Sequence, residues 1–128
     1  MSEGLRIGVI GGSGLYQIDG LIDIREETIE TPFGAPSAPY LIGKLSGHEN
    51  VELVFLPRHG RNHEFNPSEV NYRANVFGMK ALGVSWLISV SAVGSLQEEV
   101  VPGHVVVIDQ FIDRTKNRAS TFFEKGMV

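Results

Sequence analysis

Residues 51–91, VELVFLPRHGRNHEFNPSEVNYRANVFGMKALGVSWLISVS, contain the pattern that decides the fold class. The stretch begins and ends with apolar runs, Val51–Pro57 and Trp86–Ser91, of the kind that forms buried strands. The spacing of the apolar residues between them predicts a helix over residues 66–81. A helix that connects two strands of one sheet normally leaves the strands parallel, so the sequence predicts an α/β fold.

Local signals mark both ends of the predicted helix. Asn66 is a favourable N-cap residue, Pro67 suits the first helical position, and Glu69 lies where a capping box requires an acid. Gly83 is placed to end the helix. The apolar face consists of residues at helical spacing, namely Val70, Ala74, Phe77 and Ala81.

Further strands are predicted on either side of this unit. Leu5–Ile10 is a compact apolar run, and Ile22–Ile29 alternates apolar and polar residues, which is typical of a half-exposed strand. Tyr40–Leu45 and Val51–Pro57 flank a polar turn and form a predicted hairpin. Val105–Ile108 predicts one more strand. The sequence therefore predicts a central mixed, largely parallel sheet flanked by helices.

The predicted fold is incomplete. Continuous apolar runs imply a sheet that is covered on both faces, yet only one amphipathic helix is visible. The 128 residues show no internal repeat, low-complexity tract or break in composition. We therefore expect a single domain over residues 1–128 that lacks part of its fold.

Composition and charge exclude several classes of protein. Eleven Lys and Arg against fifteen Asp and Glu give a net charge of -4, which argues against non-specific binding of nucleic acid. The chain has no cysteine, which excludes a disulfide scaffold, a thiolate zinc site and a cysteine nucleophile. No apolar run approaches the roughly 20 residues that cross a bilayer, and the N-terminus does not resemble a signal peptide. We expect a cytoplasmic protein with no membrane and no nucleic acid among its partners.

Polar residues directly follow three of the predicted strands. They form the clusters Gly11–Gly14, Arg58–His63 and Ser91–Ser95. Ligands of open α/β sheets bind beyond the carboxyl ends of the strands, so three parallel neighbours would bring these clusters to one edge of the sheet.

The chemistry of the clusters predicts a site for an anion. Glycine lets backbone N–H groups approach an oxyanion, and Ser13 and Ser91 add hydroxyl donors. Arg58 offers a planar, charged fork that fits phosphate oxygens, and His59 donates one or two hydrogen bonds. Each feature alone also fits an ordinary turn or a solvated loop charge, but their coincidence at three strand ends favours the site.

A metal site is not expected. His59 and His63 are four residues apart and Glu64 adjoins them, but they lie in a predicted loop and lack an obvious third ligand. The glycines match neither a dinucleotide-binding fingerprint nor a P-loop, and Leu15 stands where a nucleophile elbow centred on Ser13 would need glycine.

Six motifs stand in an order and spacing typical of one family: IGVIGGSGL (7–15), TPFG (31–34), PRHGRNH (57–63), PSEVNYRAN (67–75), SAVGSL (91–96) and DQFIDRT (109–115). They resemble the methylthioadenosine phosphorylase branch of the purine nucleoside phosphorylases. The resemblance covers nearly the whole chain but only about the N-terminal half of a typical family member. It therefore implies that residues 1–128 are the N-terminal half of a larger phosphorylase domain.

The resemblance implies phosphate-dependent cleavage of S-methyl-5'-thioadenosine, or methylthioinosine, to a free purine base and S-methyl-5-thioribose 1-phosphate, in purine and methionine salvage. Inorganic phosphate would be a co-substrate, and no cofactor would be needed. The family's phosphate ligands match Ser13, Arg58, His59, Ser91 and the backbone of Ala92, and His63 would lie near the ribose. The acids that recognise the base belong to the half that is absent here, so no residue is assigned to protonating the purine. A homotrimer or hexamer is also implied.

Two other interpretations stay open at this point. One is a truncated chain that keeps an anion-binding half-site without turnover. The other is an unrelated α/β module that binds phosphate. Mass spectrometry or the gene's reading frame, showing whether the native chain continues past Val128, would test the first, and phosphate-dependent release of adenine from methylthioadenosine would settle the second.

Overall fold

The computed structural model describes residues 4–12, 18–124 and 126. These residues form one five-stranded mixed sheet and one helix. In chain order the elements are β1 (Leu5–Gly11), β2 (Leu21–Glu27), β3 (Tyr40–Leu45), β4 (His48–Pro57), α1 (Tyr72–Ala81) and β5 (Trp86–Ser89). The order of strands across the sheet is β2-β3-β4-β1-β5.

The first strand of the chain lies inside the sheet. β1 is parallel to β4, with Leu5 opposite Val51, and parallel to β5, with Ile7 opposite Trp86. The crossover through α1 therefore joins two parallel strands that have β1 inserted between them. This arrangement confirms the predicted α/β class, and two of the four neighbouring strand pairs are parallel.

β3 supplies the antiparallel part of the sheet, because it runs against both β2 and β4. The predicted hairpin is confirmed, with its turn at Ser46–Gly47. β4 begins at His48 rather than at the predicted Val51, so the turn is tighter than expected. β2 ends at Glu27, short of the predicted Ile29.

The helix begins later than predicted. α1 starts at Tyr72 with Asn71 as its N-cap, so the prediction of Asn66 as the N-cap is wrong. Asn66 and Glu69 do form the reciprocal hydrogen bonds of a capping box, but these bonds close a single turn that does not continue. The side-chain amide of Asn71 donates to the carbonyl oxygen of Phe33 at 2.8 Å. A contact with a distant loop thus helps to fix the start of the helix.

The end of the helix agrees with the prediction. Gly83 follows the C-cap Leu82 with a φ of +73°, in the left-handed region that commonly ends helices. The N–H of Val84 donates back to the carbonyl oxygen of Met79 at 3.1 Å, which turns the chain toward β5. No helix within the described ranges is long and apolar enough to span a membrane.

The core lies between α1 and one face of the sheet. Its buried residues are Tyr40, Ile42, Val54, Leu56, Met79 and Leu82. The Tyr40 hydroxyl donates to the carbonyl oxygen of Asn75 at 2.9 Å, and burial raises the pKa of Tyr40 well above its usual value. Coverage is weaker at β5, where Trp86 and Ile88 are 69% and 50% exposed.

The prediction of a strand at Val105–Ile108 is wrong. Val105 and Val107 are more than nine-tenths exposed, and residues 91–124 contain neither helix nor strand. In the described part of the chain Val105–Ile108 pairs with no strand and stays exposed, and an extended segment without a paired neighbour does not form a stable strand. β5 likewise ends at Ser89, before the predicted Ser91.

A group of ion pairs connects three strands of the sheet. Glu52 accepts hydrogen bonds from Nη1 of Arg25 at 2.9 Å and from Nε of Arg6 at 2.6 Å. The hydrogen bond from Arg25, followed by that from Arg6, lowers the pKa of Glu52. Nη1 of Arg6 also donates to the carbonyl oxygen of Leu82, so the group ties β1, β2 and β4 to the end of the helix.

Candidate functional site

The carboxyl ends of β4, β1 and β5 meet at one edge of the sheet. The backbone N–H of Arg58 donates to the carbonyl oxygen of Gly11 at 3.1 Å, and the N–H of Val90 donates to the carbonyl oxygen of Ile10 at 2.8 Å. The residues just beyond β4 and β5 are therefore fixed on either side of the end of β1. Backbone hydrogen bonds thus bring together the strand ends on which the anion site was predicted.

An open cleft of about 730 Å³ lies at this edge. Four chain segments line it: the end of β1, the loop after β4, the segment before α1 and the residues after β5. The lining residues are Gly12, Arg58, His59, His63, Glu64, Phe65, Asn66, Pro67, Glu69, Val90 and Ala92. The cleft therefore depends on the assembled sheet rather than on one loop.

The Arg58 side chain reaches across the end of β1. Its Nη1 donates to the carbonyl oxygen of Val90 at 2.9 Å, and its Nε donates to Nε2 of His59 at 3.1 Å. A guanidinium has five N–H groups, so three are left without a partner among the described residues. The guanidinium is held in one orientation and keeps donors for a ligand.

The imidazole of His59 is fixed by two neighbours. The carbonyl oxygen of Phe65 can only accept a hydrogen bond, so Nδ1 of His59, 2.9 Å away, carries the proton. Nε2 accepts from Arg58 and therefore carries none. This network assigns His59 to the neutral tautomer with its proton on Nδ1.

His63 lies beside His59 in the cleft. The two imidazole rings are nearly parallel, at an angle of 11°, with their centroids 6.1 Å apart. His63 has a φ of +56°, in the left-handed region that residues other than glycine seldom adopt. Such backbone conformations are frequent in functional loops.

Two carboxylates line the cleft that were not predicted to belong to the site. Glu64 accepts hydrogen bonds from the backbone and side-chain nitrogens of Asn62, at 3.2 and 3.1 Å. Hydrogen bonds from its own backbone and from Asn62 lower the pKa of Glu64. Glu69 accepts from the backbone of Asn66 at 2.9 Å. The basic loop therefore has negative neighbours, for which the position of Glu64 directly after His63 was the available signal.

The structure brings most of the predicted site residues together. Those that line the cleft are Arg58, His59, His63 and Ala92. Ser91 adjoins Ala92 but does not itself line the cleft, and Ser13 lies outside the described residues. Contact of phosphate with each of these residues stays a prediction. Within residues 4–12, 18–124 and 126, no three His, Asp or Glu side chains are grouped to hold a metal ion.

Known sequences resemble this chain over nearly its whole length. The sequence profile of the phosphorylase superfamily matches residues 6–127. The S-methyl-5'-thioadenosine phosphorylase of Geobacter sulfurreducens is 63% identical over 123 residues, which are 95% of this chain and 42% of that protein. The protein of the same name from Synechocystis sp. is 58% identical over 122 residues, which are 95% of this chain and 36% of that protein.

Solved structures show the same relationship. A methylthioadenosine phosphorylase from an Antarctic soil metagenomic library matches with a TM-score of 0.87 and 50% identity, over 98% of this chain and 42% of that chain. The methylthioadenosine phosphorylase of Schistosoma mansoni in complex with adenine matches with a TM-score of 0.83 and 43% identity, over 95% of this chain and 43% of that chain. This chain thus spans about two fifths of the length of these relatives. It belongs to the phosphorylase superfamily, in the S-methyl-5'-thioadenosine phosphorylase branch.

Proposed function

We propose that this chain forms the phosphate-binding part of an enzyme that cleaves S-methyl-5'-thioadenosine with inorganic phosphate. The observation that carries the proposal is the Arg58 guanidinium, which is held across β1 and keeps three N–H groups unpaired within the described part of the chain. A planar cation in a fixed orientation suits the oxygens of a phosphate. The relatives' names supply the nucleoside.

The proposed reaction transfers the sugar from the base to phosphate. An oxygen of phosphate forms a bond to the anomeric carbon of the methylthioribose, the bond from that carbon to the purine nitrogen breaks, and its electron pair leaves with the base. The products are S-methyl-5-thioribose 1-phosphate and the free purine, which gains one proton for the one that the attacking hydrogen phosphate loses. Because phosphate itself supplies the attacking oxygen, the cleft needs to hold and orient the anion, without a side-chain nucleophile or a cofactor.

The other phosphate contacts are assigned to residues at the same strand ends. These residues are Ser13, His59, Ser91 and the backbone N–H of Ala92, while His63 is assigned near the ribose. The position of Ala92 and His63 in one cleft with Arg58 supports these assignments. Glu64 and Glu69 offset the positive charge of Arg58, so directed hydrogen bonds, rather than net charge, are expected to hold the phosphate.

The chain alone is not expected to turn over a nucleoside. It spans about two fifths of the length of its relatives, and no residue of it is assigned to protonate the departing purine. General acid help is typically worth about 10²–10⁴-fold in rate. We therefore propose that the 128 residues bind phosphate and that the remainder of a phosphorylase domain completes catalysis.

A comparison of two proteins tests this function. One is the 128-residue chain, and the other is a chimera that joins it to the part of the Geobacter sulfurreducens relative that it does not match. Purine release from S-methyl-5'-thioadenosine is followed by chromatography with and without phosphate. We expect phosphate-dependent release by the chimera and none by the chain alone, and methylthioinosine in parallel identifies the preferred base.

Each outcome of this comparison is informative. Turnover of about 1 per second or more by the chain alone would show that the site is complete within it. A folded chimera that releases no purine from either nucleoside would contradict the proposed reaction. An anion-binding half-site without turnover is the alternative function, and it would appear as phosphate binding by a chimera that stays inactive. The expected homotrimer or hexamer is tested on the chimera by native mass spectrometry, and the cytoplasmic location stays part of the proposal.

A further inference from the structure

We propose that His59 takes up a proton on Nε2 when phosphate binds, and that this protonation releases Nε of Arg58 to the phosphate. The inference rests on the proposed function, because it concerns the same anion site. It gives His59 two roles, as a ligand of the anion and as the residue that controls which edge of Arg58 is available.

The neutral imidazole of His59 carries a single proton, on Nδ1. Nδ1–H of His59 donates to the carbonyl oxygen of Phe65 at 2.9 Å, and Nε2 accepts from Nε of Arg58 at 3.1 Å. Both ring nitrogens are thus occupied, and the ring has no second N–H to offer. In this tautomer His59 cannot donate to a phosphate oxygen.

A proton can be placed on Nε2 of His59 in two ways, by transfer from Nδ1 or by addition of a second proton. Moving the proton from Nδ1 would leave Nδ1 and the Phe65 carbonyl oxygen facing each other as two acceptors at 2.9 Å, with the loss of a hydrogen bond. Adding a second proton keeps that bond and makes Nε2 a cationic donor, which binds oxyanions more strongly than a neutral one. The imidazolium form therefore suits a bound phosphate.

Protonation of His59 also changes the hydrogen bonds of Arg58. A protonated Nε2 cannot accept a hydrogen bond, so the bond from Nε of Arg58 is lost. Nη1 keeps its bond to the carbonyl oxygen of Val90, while Nε and the neighbouring Nη2 become the pair that can bind two phosphate oxygens side by side. Protonation of His59 thereby changes the hydrogen-bond donors that both His59 and Arg58 offer to the anion.

The charges around His59 couple the proton to the anion. Arg58, in direct contact, opposes a second cation, whereas Glu64 and Glu69 in the same cleft favour it. The ring of His63 lies 6.1 Å away, centroid to centroid. The described residues that line the cleft from the ends of β1 and β5, Gly12, Val90 and Ala92, carry no titratable side chain. Adjacent histidine and arginine cations become favourable once an anion lies between them.

Inorganic phosphate binds as the dianion, one proton passes from the buffer to Nε2 of His59, and no bond within the phosphate breaks. Calorimetric titrations with inorganic phosphate at about pH 8, where free imidazole is mostly neutral, are carried out in buffers of different ionisation enthalpy. The dependence of the measured heat on that enthalpy gives the number of protons taken up.

We expect uptake of about one proton for each phosphate bound. His59→Gln retains an N–H donor but cannot take up the proton, so its uptake should fall to about zero. His104→Gln, at an exposed position outside the cleft, is the matched control and should behave like the unchanged chain. Sulfate serves as a second dianion that brings no proton of its own, and it should give the same uptake.

The outcomes separate this inference from the proposed function. Failure of both the chain and the chimera to bind phosphate would contradict the function itself. Three outcomes would overturn the inference but leave the proposed function standing. They are phosphate binding without proton uptake, uptake with phosphate but not with sulfate, and uptake that is lost in His63→Gln and kept in His59→Gln. Nitrogen-15 NMR of the unchanged chain gives a direct readout. We expect His59 as the neutral Nδ1–H tautomer without phosphate and as imidazolium with it.

Discussion

Nη1 of Arg58 donates to the carbonyl oxygen of Val90 at 2.9 Å, although β1 lies between the strands that precede these two residues. The bond makes the position of the guanidinium depend on the end of β5 as well as on the end of β4. Because the two residues are 32 positions apart, the arginine is oriented only after the sheet has assembled.

Arg58→Lys is expected to weaken phosphate binding. Lysine keeps the positive charge but cannot bond Val90 and His59 while also presenting a fork of donors to the anion. A loss of about 1–3 kcal/mol is expected, since hydrogen bonds to charged groups fall in that range. Calorimetry with inorganic phosphate measures it, and Arg114→Lys, at an exposed position, is the control. Equal phosphate affinity in the two variants would show that Arg58 is not a ligand.

Gly60→Ala is expected to destabilise the loop that carries the site. Gly60 has a φ of +76°, and a Cβ atom there would collide with the carboxylate of Glu64, which would have to move away from its hydrogen bonds with Asn62. Gly47, with a φ of +85° and open space around it, offers a matched control in which alanine brings backbone strain alone. Strain of this kind costs about 1–3 kcal/mol, and Gly60→Ala should lose more in urea unfolding than Gly47→Ala. Equal losses would show that the collision is relieved at no cost.

Gly78→Ala is expected to destabilise the protein, although alanine normally favours a helix by about 1 kcal/mol over glycine. A Cβ atom at Gly78 would collide with the hydroxyl and ring of the buried Tyr40. Overpacking of this kind costs about 1–3 kcal/mol. In a Tyr40→Phe background, where the hydroxyl is removed, part of the loss should be recovered. A higher melting temperature for Gly78→Ala in the unchanged background would contradict the packing of α1 on β3.

Glu52 is expected to make stability depend on pH in the acid range. Hydrogen bonds from Arg25 and Arg6 lower its pKa in the folded state, below the ordinary value of 4.5. The stabilisation is therefore present above pH 4.5 and is lost as the pH falls through the folded-state pKa. Because Arg25 and Arg6 are each about one-third exposed, a contribution of at most about 1 kcal/mol is expected.

The unfolding free energy of the unchanged chain minus that of Glu52→Gln measures this contribution. It should be positive at neutral pH and should disappear as Glu52 becomes protonated. Glu99→Gln, at an exposed position outside the ion-pair group, is the control and should leave the profile unchanged. A difference that persists with the same size in acid would show that Glu52 acts through packing rather than through charge.

The parts of the fold that sequence predicted well are those with a local cause. The apolar runs around Val9 and Val54 contain their own signals, and both form strands as expected, although the turn before β4 is shorter than predicted. The start of the helix was missed because Asn66 satisfies its capping box within one turn, while Asn71 is fixed by the distant Phe33 carbonyl.

The sequence predicted the side chains of the site but not the backbone groups that orient them. Arg58 and His59 were found because their side-chain chemistry suits an anion and because they follow a strand. The backbone carbonyl oxygens of Val90 and Phe65 orient these two side chains. Because every residue type has such an oxygen, the sequence does not indicate which ones take part. Glu69 was assigned to the helix cap alone, although it also lines the cleft.

The interior position of β1 has a consequence for how the chain folds. Val51 lies 46 residues after its partner Leu5, and Trp86 lies 79 residues after its partner Ile7, so both ladders of β1 join parts of the chain that are far apart in sequence. Non-local parallel pairing is slow, and domains rich in it fold more slowly than helical bundles of similar size. During synthesis β1 emerges before β4 and β5, so its apolar residues stay unpaired until both of these strands have been made, which exposes β1 to misassociation.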